Sequence, residues 1–191
     1  MINNEKNGAL IVLSGPSGCG KDTVMRALLE RDSNIRVSVS ATTRAPREDE
    51  ADGVDYYYFS IDEFEQKIEE NEFIEYVQYA GNYYGTLKSE VNRLIDEGKK
   101  VVLVIEVKGA ANIIARYPDC LSIFLMPPSL KILADRLRSR GTDTEDEITK
   151  RLSLAEDEIE KSTHYKYVVV NDDLATAIDK VYDIIKTYKA Q

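Results

Sequence analysis

The segment Gly15-Pro16-Ser17-Gly18-Cys19-Gly20-Lys21 has the composition and spacing of a phosphate-binding loop. Glycines at this spacing let backbone N–H groups turn inward around phosphate oxygens, and the closing lysine reaches the outer phosphates of a nucleoside triphosphate. The motif needs a strand before it and a helix after it, so that the helix N-terminus adds its positive potential. The residue after the lysine is usually Ser or Thr, whose hydroxyl binds Mg²⁺; here Asp22 stands in that place, with Thr23 next. A carboxylate can hold Mg²⁺ directly or through water, but it also adds negative charge beside a triphosphate. Asp22 is therefore a metal candidate and no more.

Two further groups of arginines suit phosphate. Arg44 and Arg47 lie in one short loop upstream of Tyr56, and guanidinium forks match phosphate oxygens bidentately. Taken alone, two loop arginines are usually just solvated. Arg136 and Arg140 are four apart, hence on one helical face, and Arg151 follows beyond the Gly141–Thr144 turn. Charges of this kind around the equatorial oxygens are what phosphoryl transfer needs, because its catalysis is mostly positioning and electrostatics. Arg138 falls off that face and reads as solvated. Cys19 sits beside Lys21 at a helix N-terminus, where a thiol pKa can fall; His164 is the only histidine and reads as surface.

The elements that must position these residues follow from periodicity. Ala9–Ser14, Val101–Val107, Leu121–Leu125 and Tyr167–Val170 are short apolar runs of the fully buried strand type. A helix is expected from about Gly20 to Arg31, another through Ile148, Leu152, Ala155 and Ile159, and a third through Leu174, Ile178, Val181, Ile185 and Tyr188. Thr142-x-x-Glu145 and Thr144-x-x-Glu147 are overlapping capping-box signals. Buried strands alternating with helices imply an α/β fold, a parallel sheet with helices on both faces. Residues 35–86 break the rhythm: Ile35–Ser40, Tyr56–Ser60, Phe73–Tyr79 and Asn82–Thr86 read as half-exposed, Tyr-rich strands, and Ser60-x-x-Glu63 starts a helix to about Glu70. This is an inserted α+β lobe. Of Tyr83 and Tyr84, strict alternation lets only one face a pocket.

Composition bounds the reading. At 191 residues, 43% hydrophobic and 31% charged, the chain is long enough for one compact domain and is not a disordered one. No apolar run exceeds seven residues, so no membrane span is expected, and Met1–Asn7 lacks the apolar stretch of a signal peptide. Two cysteines make no disulfide framework, which points to a reducing cytoplasm. The net charge of −9 argues against non-specific nucleic-acid binding. Its source is local: residues 48–75 carry twelve carboxylates against Lys67 alone, leaving the rest of the chain slightly basic.

The strings Gly-Pro-Ser-Gly-x-Gly-Lys, Ser-Val-Ser-Ala-Thr-Thr-Arg-Ala-Pro-Arg, Phe-Ile-Glu-Tyr, Gly-Asn-Tyr-Tyr-Gly-Thr, Arg-Leu-Arg-Ser-Arg-Gly-Thr and Val-Asn-Asp-Asp-Leu, in that order over about residues 8–188, resemble the guanylate kinase family. The resemblance implies a P-loop nucleoside monophosphate kinase-like fold, a single domain with its core at about 1–34, 87–130 and 164–191, a GMP-binding lobe at about 35–86 and a small helical lid at about 131–163. It implies ATP and GMP as substrates, with Mg²⁺ arriving with ATP. It assigns the GMP phosphate to Arg44, Arg47, Tyr56 and Tyr84, and the guanine to Ser40, Glu75 and Thr86. A carboxylate such as Glu75 can accept from both N1–H and N2–H of guanine, a donor pair that adenine lacks.

The family strand segment usually carries two acids, two residues apart. The first is Val104 here and only Glu106 remains, free to serve GMP or a Mg²⁺-bound water. Asn171 matches the position that contacts adenine, while its place before Asp172-Asp173-Leu174 also suits a helix N-cap. No residue is assigned to the ribose 2′-position, so dGMP stays open as an acceptor. Three functions fit these residues: ATP-dependent phosphorylation of GMP, a catalytically silent module of the same family binding a phosphorylated peptide, and a P-loop kinase of another small phosphate acceptor. The retained Lys21 and lid arginines favour the first over the second, and the Glu75 and Tyr84–Thr86 strings favour it over the third.

Overall fold

The computed structural model describes residues 8–189 except 80, 140 and 142. Strand β1 (Ala9–Ser14) lies at the centre of a parallel sheet in the order β2-β7-β1-β8-β9, completed by β2 (Ile35–Val37), β7 (Lys100–Val104), β8 (Leu121–Met126) and β9 (Tyr167–Val170). Alternation along β1 sends Ile11 and Leu13 to one face and Val12 to the other. On the first face they pack with Val24, Met25 and Leu28 of α1 (Lys21–Arg31) and with Ala177, Val181 and Ile185 of α7 (Leu174–Thr187). On the second face Val12, Leu103 and Phe124 meet Val91 and Leu94 of α3 (Lys88–Asp96) and Val107, Ala110 and Ile113 of α4 (Val107–Arg116). A strand buried on both faces has no polar alternation, which is why β1 reads as a continuous apolar run.

A second sheet, ordered β4-β3-β6-β5, carries β3 (Ser40–Thr42), β4 (Tyr56–Tyr58), β5 (Phe73–Tyr79) and β6 (Asn82–Leu87). Helix α2 (Ile61–Glu69) starts from a capping box in which the Ser60 side chain accepts from the Glu63 backbone N–H and Glu63 reaches back to the Ser60 N–H. It buries Phe64 between the rings of Phe73 and Tyr83, at 4.2 and 5.2 Å between centroids. A third unit pairs α5 (Leu130–Ser139) with α6 (Glu145–Glu160) through Leu133, Leu137, Ile148 and Ala155. Thr144 and Glu147 form the capping box of α6; Thr142, of the overlapping signal, lies outside the described residues.

The structure departs from these expectations in several places; the strand expected over 56–60, for one, ends at Tyr58, and Ser60 caps α2. The run expected as one strand over 35–40 divides: Ile35–Val37 pairs with β7 in the core sheet, and only Ser40–Thr42 belongs to the lobe sheet, so the insertion begins after Val37. The run expected as a strand over 101–107 stops at Val104; Glu106 is the N-cap of α4 and Val107 its first residue. A continuous apolar run has no period that tells the end of a strand from the start of a buried helix. Asn171 is not an N-cap, because Asp173 caps α7 by accepting from the Thr176 N–H at 2.8 Å.

Candidate functional site: a phosphate loop and a polar cleft

The loop after β1 is shaped by what surrounds it. Gly15 lies so close to the Leu125 carbonyl that an added Cβ would meet its oxygen at 2.3 Å. Gly20, the N-cap of α1, holds φ at 101°, and a Cβ there would come within 2.6 Å of Asn171 Nδ2. Lys21 Nζ donates to the carbonyls of Gly15 at 2.6 Å and Pro16 at 3.1 Å, folded back over its own loop. Ser17, Gly18 and Cys19 complete the turn, with the Cys19 N–H donating to the Pro16 carbonyl at 3.1 Å. Cys19 itself is fully buried, and burial pushes its thiol up despite Lys21 nearby. A thiol pKa can fall at a helix N-terminus, but here desolvation penalises the thiolate by more than the neighbouring charge favours it. Asp22 and Thr23 are exposed on the first turn of α1.

Asn171 ties three elements to this loop. Its Nδ2 donates to the Cys19 carbonyl at 2.8 Å, its backbone N–H to the Met126 carbonyl at 2.8 Å, and its own carbonyl accepts from Arg136 at 2.8 Å. Its Oδ1 is buried with no partner within the protein. Arg151 on α6 donates to Ser17 Oγ at 2.8 Å and to Asp143 Oδ1 at 3.1 Å, so two of the lid arginines converge on the loop. Arg140 lies outside the described residues. Arg138, expected to be solvated, pairs with Glu145 at 2.9 Å on the exposed side, and His164 is exposed as expected.

Between the two sheets lies a cleft of about 940 Å³. Register builds its polar wall. Thr86 pairs with Ser40 on one side and Glu75 on the other, and Ser40 pairs with Tyr56, so these four stand abreast across β4, β3, β6 and β5. Tyr84, two residues before Thr86, shares their face, whereas Tyr83 turns to stack on Phe64. Glu75 is half-buried, and the Thr86 hydroxyl donates to its Oε1 at 2.8 Å. Burial holds the Glu75 carboxyl above the usual carboxylate range, with Thr86 pulling weakly the other way. Among the described residues no cation pairs with it. Glu106 also lines the cleft, exposed at the head of α4.

At the cleft's mouth the Arg44 guanidinium stands 5.3 Å over the Tyr56 ring, and Tyr56 meets Tyr84 edge-on at 6.3 Å. Glu50 organises this loop. It pairs with Arg44 at 2.8 Å, and accepts from the Arg47 backbone N–H and the Tyr58 hydroxyl, each at 2.8 Å. The Arg44 guanidinium and the Arg47 N–H hold the Glu50 carboxyl down at about 2. The Arg47 guanidinium is exposed.

A family model described as guanylate kinase matches residues 7–188. The guanylate kinase of Halalkalibacterium halodurans is 50% identical over 181 residues, covering 95% of this chain and 89% of that protein. That of Enterococcus faecalis is 49% identical over 181 residues, with coverages of 94% and 89%. A crystal structure of guanylate kinase from Anaplasma phagocytophilum superposes with a TM-score of 0.71 at 34% identity, covering 96% of this chain and 87% of that one. The chain belongs to the guanylate kinase family.

For a guanylate kinase, the residues that sequence reasoning brought forward fall into two groups. Gly15 to Thr23, Arg136, Arg151 and Asn171 surround the phosphate loop; Ser40, Arg44, Tyr56, Glu75, Tyr84, Thr86 and Glu106 surround the cleft and its mouth. Glu50 was missed, hidden among the twelve carboxylates of the acidic block; its position three residues after Arg47 in a turn was the available signal. The donors near the loop are carboxylates and hydroxyls, the hard oxygen ligands that Mg²⁺ prefers. Among the described residues no three acidic, histidine or cysteine side chains gather as a metal cage. Mg²⁺ brought in by a nucleotide, with part of its shell from phosphates and water, fits such a site. No helix among the described residues is long and apolar enough to cross a membrane.

Proposed function

We propose that this chain catalyses ATP-dependent phosphorylation of GMP to GDP, with the cleft between the sheets taking GMP and the phosphate loop taking ATP. The observation that carries the acceptor assignment is Glu75: a half-buried carboxylate with one oxygen engaged by Thr86 and no cation beside it. Such a group wants two convergent N–H donors, and guanine offers N1–H and N2–H side by side. Ser40 and Thr86 flank it at the base, and Arg44, Arg47, Tyr56 and Tyr84 hold the monophosphate at the cleft's mouth.

Across from GMP, Lys21 leaves the Gly15 and Pro16 carbonyls for the outer phosphates of ATP, while Arg136, Arg140 and Arg151 spread charge over the transferring group. An oxygen of the GMP phosphate attacks the γ-phosphorus, the bond to the β–γ bridging oxygen breaks, and ADP departs with that electron pair. No side-chain nucleophile is needed. Asn171 offers its idle Oδ1 to the adenine amino group. Asp22, with Glu106 through water, would hold the Mg²⁺ that arrives with ATP, which would supply neutralisation of phosphate charge. The lobe after Val37 and the α5–α6 lid are the parts that move toward the core on binding, excluding water. A cytoplasmic setting fits the two buried free thiols, Cys19 and Cys120.

Inosine monophosphate tests the guanine reading, because it keeps N1–H and lacks the 2-amino group. Calorimetric binding is expected to be tenfold to a hundredfold weaker than for GMP, roughly the worth of one charge-assisted hydrogen bond. Equal affinities would remove Glu75 from the base.

A further inference from the structure

Glu50 places a negative charge in the loop that offers two arginines to a phosphate, and neither of its carboxylate oxygens is idle. Oε1 accepts from Arg44 Nη2 at 2.8 Å, and Oε2 accepts from the Arg47 backbone N–H and from the Tyr58 hydroxyl, each at 2.8 Å. The ion pair is largely withdrawn from water, with the Arg44 side chain 19% and the Glu50 side chain 16% exposed. The main chain closes the same turn, since the Glu50 N–H donates to the Arg47 carbonyl at 3.1 Å. One carboxylate thus ties together the guanidinium of Arg44, the backbone at Arg47 and a side chain of β4.

Arg44 is held at both ends. Its backbone N–H donates to Thr42 Oγ1 at 3.1 Å, and its Nη1 donates to the Ala45 carbonyl at 2.8 Å. Of the five N–H donors of a guanidinium, Glu50 and Ala45 each take one, which leaves three for a ligand. The group is fixed 5.3 Å from the centre of the Tyr56 ring, and Tyr56 lines the cleft. An arginine free to swing on its long stem would have to be ordered by the phosphate itself, at a cost in affinity. Charge alone argues the other way. Glu50 cancels one of the two guanidinium charges, so by Coulomb's law its removal would tighten the binding of an anion.

We propose that Glu50 is a positioning residue for the acceptor phosphate, holding the Arg44 guanidinium and the Arg47 main chain in the geometry that the monophosphate of GMP meets. This role rests on the assignment of that phosphate to Arg44 and Arg47. Glu50 acts through Arg44 and the loop and not by contact with the ligand. Positioning and charge predict opposite signs for its removal. A purely structural role predicts a third pattern, in which guanosine and GMP weaken together.

The readout is the gain conferred by the phosphate, the ratio of the dissociation constants of guanosine and GMP measured by calorimetry on the full chain. In Glu50→Gln this gain is expected to fall by roughly tenfold or more, with guanosine bound within about twofold of the unmodified chain. The amide keeps the size of the side chain but can no longer accept at both ends. Tyr58→Phe removes one hydroxyl and leaves both charges, and is expected to lower the gain by roughly threefold. In Arg44→Gln the gain is expected to be lost, and adding Glu50→Gln to that variant to cost little more. A gain that stays or rises in Glu50→Gln overturns the inference, as does a matched loss of guanosine and GMP affinity. Should Glu50→Gln fail to fold, Tyr58→Phe decides by the same criteria. A gain retained in Arg44→Gln, or absent from the unmodified chain, would defeat the phosphate assignment itself and the role of Glu50 with it.

Discussion

Lys21→Ala is expected to lower kcat by roughly 10³-fold or more while leaving GMP binding intact. Its ammonium is the one lysine of the loop; in the free protein it rests on the Gly15 and Pro16 carbonyls, 2.6 and 3.1 Å away. Those bonds cost little to exchange for phosphate oxygens, which carry more charge than carbonyls. The stabilisation is greatest when the γ-phosphoryl is in flight, so its loss falls on kcat and amounts to about 4 kcal/mol of barrier. The cleft between the two sheets contains neither Lys21 nor the carbonyls that hold it among its lining residues. Single-turnover kinetics beside GMP calorimetry separates the two effects. A variant that turns over within tenfold of the unmodified chain would mean that the lysine does not meet the transferring group.

Glu75→Gln is expected to cut kcat/KM for GMP by roughly 10² to 10³ and to narrow the preference over AMP. The amide keeps one acceptor oxygen for guanine but turns an N–H₂ toward the other guanine donor, while adenine's edge, with one donor and one acceptor, suits it better. The same change is expected to raise the melting temperature at neutral pH. Burial lifts the folded-state pKa of Glu75 above its usual 4.5. Between 4.5 and the raised value the native protein holds a proton that the unfolded chain has already lost, so stability falls as pH rises through that window. Above it, an ionised carboxylate is carried at a cost that Gln does not bear. A site residue that weakens the fold while enabling recognition is the expected trade between stability and activity. A melting temperature that drops in the variant would place Glu75 among structural residues.

Much of this was legible because the phosphate loop is a local feature. Its glycines, its lysine and both flanking elements lie within one stretch of sequence, and the apolar runs of β1 and β8 are buried as expected. Strand β9, expected to be fully buried, is an edge strand that buries Val169 and leaves Tyr167, Val168 and Val170 exposed. An apolar run does not say whether a strand is central or at the edge. The face of the lobe sheet was legible in part: alternation says that Tyr83 and Tyr84 diverge, but only packing on Phe64 decides which one turns inward. What stayed hidden depends on contacts distant in sequence. Asn171 braces Cys19, 152 positions away, so its link to the loop has no local signature. Glu50 is one carboxylate among many until Arg44 and Tyr58 close on it. Glu106 reads as part of a strand but caps α4, because the apolar run from Val101 carries on across the change of element and hides it.

The central claim is that one site joins a triphosphate-binding loop to a guanine-reading cleft. ADP formation from Mg-ATP with GMP, AMP, CMP and UMP, run in parallel on the unmodified chain, tests it most directly. GMP is expected to support turnover at least about a hundredfold above each of the others, because only guanine pairs with both oxygens of Glu75. Comparable turnover with all four, or none with GMP in a protein that binds it, would contradict the account.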